Sequence, residues 1–140
     1  MDKPRFVYVI YIESTLESAA YWGRSNVSDW KVGSRWEHQR TDGTRAADVV
    51  GTVVDSAPPT RLVITWAGPG EVRADGSSRV TFDIEAYREI VRLTVTHEHL
   101  ADDAERDDIA AGWPAVLSNL KSFLETGHVL PQAPWEMPHR

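Results

Sequence analysis

The sequence predicts an α+β domain, an antiparallel meander of about six strands closed by one long C-terminal helix. Three observations carry this. Residues 107–127 (DDIAAGWPAVLSNLKSFLETG) place Ile109, Trp113, Val116, Leu117, Leu120, Phe123 and Leu124 at spacings of three and four, the period of an amphipathic helix. Six segments upstream are rich in β-branched and aromatic residues and are bounded by Gly, Pro, Asn and Asp. The links between the later segments are short, which makes consecutive strands antiparallel neighbours.

Residues 5–12 (RFVYVIYI) open the chain as a strand expected to be buried on both faces, since apolar side chains point both ways. Ser14 followed by Glu17 is a capping box, so a short helix is expected over 15–22 with Gly23 as its C-cap. A turn through SNVSDWKVG follows. Strands are then expected over 34–40, 46–55, 61–67, 78–85 and 89–97, punctuated by Thr41-Asp42-Gly43, Ala57-Pro58-Pro59, Gly68-Pro69-Gly70 and Asp75-Gly76. Alternation assigns Leu62, Ile64, Trp66, Val80, Phe82, Ile84, Val91, Leu93 and Val95 to the inner face. Arg61, Arg79, Arg92, Thr94 and Thr96 fall on the other, wet face.

The helix should end at Gly127. Pro114 lacks an amide hydrogen and would cost roughly 3 kcal/mol inside a helix, so it is expected in the first turn. Asp102, Asp103, Glu105, Asp107 and Asp108 precede that turn, where negative charge favours the helix N-terminus. A calcium loop counted from Asp103 would need Gly at Asp108 and Glu at Pro114, so that reading fails. One domain over 1–127 and a proline-rich extended tail over 128–140, anchored by Val129, Leu130 and Trp135, complete the expected organisation.

Composition narrows the function. With 140 residues, 41% hydrophobic and 26% charged, the chain fits one globular core. Its net charge of -6 excludes generic nucleic-acid binding, which needs a basic surface. No apolar run spans a bilayer and the N-terminus has no signal-peptide pattern, so membrane insertion is not expected and the cytoplasm is. Zero cysteines remove disulfides and thiolate chemistry. There is no Gly-x-Ser-x-Gly elbow to support nucleophilic catalysis, and with no nucleotide-binding glycine loop no nucleotide and no other cofactor is expected.

The words VYVIYI, SDWKVGS, SRVTFDIE, VRLTVTHE and GWPAVLSNLKSFLETG, in this order, resemble the SRPBCC or START-like superfamily, and within it the C-terminal domain of the heat-shock-protein ATPase activator (Aha-like) family. The resemblance covers residues 6–127. It implies a helix-grip (START-like, birch-pollen-allergen-like) fold, a curved sheet around the long helix with a cavity between them. Members bind hydrophobic small molecules or lipids, act on polyketide-like substrates as cyclases or hydrolases, or contact a chaperone. Relatives place two helices between the first strand and the Tyr21-Trp22-Gly23 motif, whereas only residues 13–20 stand there in this chain. This shortened N-terminal helical segment implies a cavity that is open, covered by a homodimer or other protein partner, or degraded, and the cost of an uncovered apolar patch in water favours the first two.

Six tryptophans are many for this length, and large aromatic walls with a few polar groups describe a small-molecule pocket as well as a core. The resemblance makes Trp66, Phe82, His97, Trp113, Val116, Leu117 and Leu120 the expected wall, with Trp22 near the mouth, all in binding roles and none catalytic. His97 shares the parity of the inner residues Val91, Leu93 and Val95. If the strand continues, His99 would join it on that face, and a zinc site with His38 would become thinkable, but a His-x-His pair arises easily by chance and no metal is expected. Glu37, Arg40, Asp83 and Glu85 could do acid-base work only if buried close together.

Overall fold

The computed structural model describes residues 5–13, 25–39, 46–58, 60–68, 77–132, 134 and 137. Strands β1 (Phe6–Glu13), β2 (Ser25–Val27), β3 (Arg35–Gln39), β4 (Ala47–Ala57), β5 (Arg61–Trp66), β6 (Ser78–Tyr87) and β7 (Ile90–Glu98) precede one described helix, α1 (Asp103–Thr126). All pairings are antiparallel in the order β1-β7-β6-β5-β4-β3-β2. The six expected strands are present, and a three-residue strand within the SNVSDWKVG turn joins them at the β3 edge. The short helix expected over 15–22, its cap Gly23, Trp22 and Trp135 lie outside the described residues.

Period 2 placed the inner face correctly. Val80, Phe82, Ile84, Val91, Leu93, Val95 and Ile64 are buried, and Leu62 and Trp66 are half-buried against them. The helix supplies the other side through Trp113, Leu117 and Leu120. Each such side chain, fully buried, contributes roughly 1.5–3 kcal/mol. Val63 and Thr81 are also buried although they sit on the outer face, where they are cross-strand partners in the middle of the sheet.

Strand β1 is not buried on both faces. It lies at the end of the sheet, paired with β7, and its outward residues Val7 and Val9 are 47% and 42% exposed. A chain end at a sheet edge receives cover on its inner face only, so an all-apolar run does not guarantee burial.

The helix begins four residues earlier than its apolar stripe suggests. Asp102 is the N-cap, its carboxylate accepting the Glu105 amide hydrogen at 2.8 Å, while the Glu105 carboxylate accepts from the Ala101 amide at 2.7 Å. That reciprocal box out-competes the later start. Pro114 consequently lies inside the helix, not in its first turn. Gly127 does end the helix, in the left-handed conformation at φ 79°, with its amide bonded to the Phe123 carbonyl. Beyond it, Leu130 is half-buried and its amide donates to Asn119 Oδ1 at 2.9 Å, whereas Val129 is 55% exposed and anchors nothing. Among the described residues no helix is long and apolar enough to cross a membrane.

Candidate functional site

The pairing Val80↔His97 and Trp66↔Ser78 brings the ends of β5, β6 and β7 together under the third turn of α1. There, five rings meet. Trp66 stands in the middle, 5.4 Å from Trp36, 5.3 Å from Trp113 and 5.6 Å from His97 between ring centroids, and Phe82 packs edge-on against Trp113 at 5.8 Å. Tilted and edge-to-face arrangements at these separations are the favourable ones for aromatic pairs.

Trp36 is completely buried because β4 lets it in. Its indole N–H donates to the Thr65 carbonyl at 2.8 Å, and it crosses the strand at Gly51, where a Cβ would lie 1.9 Å from that same carbonyl oxygen and 2.5 Å from the indole nitrogen. Only glycine permits the approach.

His97 is 0% exposed and its protonation state is dictated by its neighbours. The Trp113 indole can only donate, and its N–H reaches His97 Nδ1 at 3.2 Å, so Nδ1 is the acceptor and Nε2 carries the hydrogen. Nε2–H then donates to Ser78 Oγ at 2.8 Å, and the Ser78 hydroxyl passes its own hydrogen to the Trp66 carbonyl at 2.9 Å. The result is a directed chain from helix to sheet, Trp113 to His97 to Ser78 to Trp66. A buried Ser–His pair has the contacts of a nucleophile and base, but here the imidazole Nε2–H donates a hydrogen bond to the hydroxyl and has no free lone pair toward it.

Of the residues expected at the site, Phe82, His97, Trp113, Leu117 and Leu120 are buried and Trp66 and Val116 are half-buried. Trp66, Phe82, His97 and Trp113 are in direct ring contact. Ser78 was missed. It shares the parity of Val80, Phe82 and Ile84, but only the strand register reveals that it faces His97. The apolar stripe of α1 is only partly used, since Ile109, Val116, Phe123 and Leu124 remain half-buried beside the buried Trp113, Leu117 and Leu120.

The histidine pair does not share a face. Strand β7 ends at Glu98, and His99 turns away with φ 60°. Among the described residues no three His, Cys, Asp or Glu side chains group as a metal site. Glu37 is held below the usual carboxylate range by hydrogen bonds from Arg35 and Gln39, at 2.8 and 3.1 Å.

The family model described as Activator of Hsp90 ATPase homolog 1-like protein matches residues 4–125. Among curated protein sequences none matches the chain. Similar solved structures include CalU16 from Micromonospora echinospora, 16% identical with a TM-score of 0.73, covering 96% of this chain and 72% of that one. The Aha1 dimer from Colwellia psychrerythraea is 18% identical with a TM-score of 0.68, covering 89% and 98%. An HSP90 activator from Plasmodium falciparum is 16% identical with a TM-score of 0.69, covering 86% and 95%. At these identities the likeness is one of fold, the curved sheet gripped by a C-terminal helix.

Proposed function

From the premise that the chain belongs to the Activator of Hsp90 ATPase homolog 1-like family, whose fold supports ligand-binding or Hsp90-activator-like roles, we propose that it binds a hydrophobic or aromatic small molecule between α1 and the sheet, in the cytoplasm. The observation that carries this reading is the unfinished burial along the helix. Val116, Phe123 and Leu124 are half-buried beside the buried Trp113, Leu117 and Leu120, and Trp66, at the centre of the ring cluster, is half-buried too. Phe82, His97, Trp113, Leu117 and Leu120 would form the floor of the site and Trp66 and Val116 its rim. Trp66, His97, Ser78 and Trp113 already bond one another, so what the floor offers a ligand is ring face and aliphatic surface. That chemistry suits an uncharged, largely apolar molecule.

Native mass spectrometry of freshly purified protein, together with titration by the neutral fluorophore N-phenyl-1-naphthylamine, tests the proposal. The wild type should enhance the probe's fluorescence saturably, and Leu120→Trp, which would fill the proposed site between helix and sheet, should abolish the effect while leaving the circular dichroism intact. Equal uptake by both would sink the site. A cyclase or hydrolase role gains little support, because His97, the one buried imidazole among the described residues, is in the wrong tautomer to accept the Ser78 proton.

A second reading, a protein-interaction module, is favoured by one specific observation. Val7 and Val9 stand exposed on edge strand β1, where a partner or second copy could add cover. Sedimentation of the wild type and Val9→Lys would separate the two: a monomer in both cases removes the homodimer.

A further inference from the structure

Resting on the small-molecule reading, we propose that Trp30 is the gate of the apolar site, a side chain held inward by apolar burial against the strain of its own backbone and released when a ligand passes. Trp30 belongs to the segment joining β2 to β3. It has φ 60°, a left-handed conformation rare for so bulky a residue, yet its indole is half-buried against the core that contains Trp36, Trp113 and Leu117. Its neighbours Lys31, Val32 and Gly33 are all exposed. The loop therefore commits one side chain to the interior and keeps the rest in water.

Its fixings are unequal. At the β3 end the chain is bonded to β4 twice, from the Gly33 amide to the Val53 carbonyl at 2.8 Å and from the Val53 amide to the Ser34 carbonyl at 2.8 Å. Gly33, at φ 90°, supplies a permissive joint beside this anchor. The Trp30 amide itself is pinned by a single side chain, donating to Ser28 Oγ at 3.0 Å, and the Lys31 amide donates to Asp29 Oδ1 at 2.9 Å. Swinging the indole outward would break the Ser28 contact and relieve the positive φ while leaving the β4 anchor intact. Strain that favours leaving, set against apolar burial that favours staying, is what a two-position element requires.

Its place in the fold suits a gate. Helix α1 runs closest to β1, at one end of the sheet, whereas the loop of Trp30 hangs from β2 and β3 at the other. Trp66, the other half-buried tryptophan packed on this core, belongs to the same inner face.

Stopped-flow mixing with N-phenyl-1-naphthylamine decides the matter on three chains: wild type, Trp30→Gly and Ser28→Ala. Removing the indole and its strain should raise both uptake and release rates by roughly tenfold, with the equilibrium affinity nearly unchanged. Ser28→Ala keeps the indole but removes its pin, and should speed both rates by a smaller factor; it also decides the question if Trp30→Gly fails to fold. A faster release alone, with weakened affinity, would make Trp30 a wall contact and overturn the gate. So would unchanged rates in both variants of a wild type that binds, leaving the binding site standing. A wild type that does not bind the probe would overturn gate and site together.

Discussion

The indole N–H of Trp113 donates to Nδ1 of His97 across 3.2 Å, tying the middle of α1 to the last strand of the sheet. This contact sets the tautomer of the buried imidazole, and through it the direction of the bonds from His97 to Ser78 and from Ser78 to Trp66. Aromatic burial holds the helix on the sheet, and this polar chain fixes its register there.

Trp113→Phe keeps an aromatic side chain, though a smaller one, and deletes the donor facing His97. We expect a loss of about 1–3 kcal/mol in urea unfolding, the usual consequence of disturbing a buried hydrogen bond. Ser78→Ala removes both the acceptor for His97 Nε2–H and the donor to the Trp66 carbonyl, and should fall in the same range. The double variant should lose less than the two losses together, because both act on one network. Strict additivity would show that the bonds are independent.

Gly51→Ala should be among the most damaging single-methyl additions in the chain. The new Cβ would meet the Thr65 carbonyl at 1.9 Å, and that backbone oxygen cannot swing aside without losing the Trp36 bond. More than ~3 kcal/mol of stability should disappear. Gly112, where a Cβ meets nothing within 4 Å, is the control: Gly112→Ala should be harmless or stabilising.

Acid should weaken the β3 edge. The Arg35 guanidinium and then the Gln39 amide hold the Glu37 carboxyl below its ordinary value of 4.5, so its contribution is present above that value and is lost as pH falls through the lowered folded one. The stability difference between wild type and Glu37→Gln should therefore shrink below pH 4.5. Because the pair is solvent-accessible, added salt should also shrink it. A difference independent of both pH and salt would assign the effect to something other than the carboxylate charge.

Pro114→Ala restores an amide hydrogen inside α1 and should raise the melting temperature, with a gain of up to ~3 kcal/mol. Ser118, whose hydroxyl donates to the Pro114 carbonyl at 2.7 Å, is unaffected by the change. A fall in stability would mean that the proline ring itself is needed to seat the adjacent Trp113.

The fold was legible because its signals are local and repeat. Alternation in β5, β6 and β7 marks the inner face without knowledge of any partner, and spacing of three and four marks the helix. Gly127 ended that helix as expected for a residue that takes a left-handed backbone at no steric cost. The errors share a cause. The apolar stripe marks a helix start later than the real one, because the Asp102–Glu105 box lies upstream of Ile109, where the stripe begins. Strand β1 was given two buried faces because its composition says nothing of its position at the sheet edge. A shared face for His97 and His99 depends on the strand continuing past Glu98, which the local sequence does not decide.

By itself, then, the sequence determined six of the seven described strands and the long helix, their antiparallel order and which side chains of β5, β6 and β7 face inward, because those depend on residue types within a few positions of one another. Only the tertiary structure decided that His97 is a neutral, doubly engaged group, that Ser78 is its partner and that Trp36 needs Gly51. These follow from the strand register and from the height of the helix over the sheet. Both bring together residues up to 29 positions apart, where no local period can report a contact.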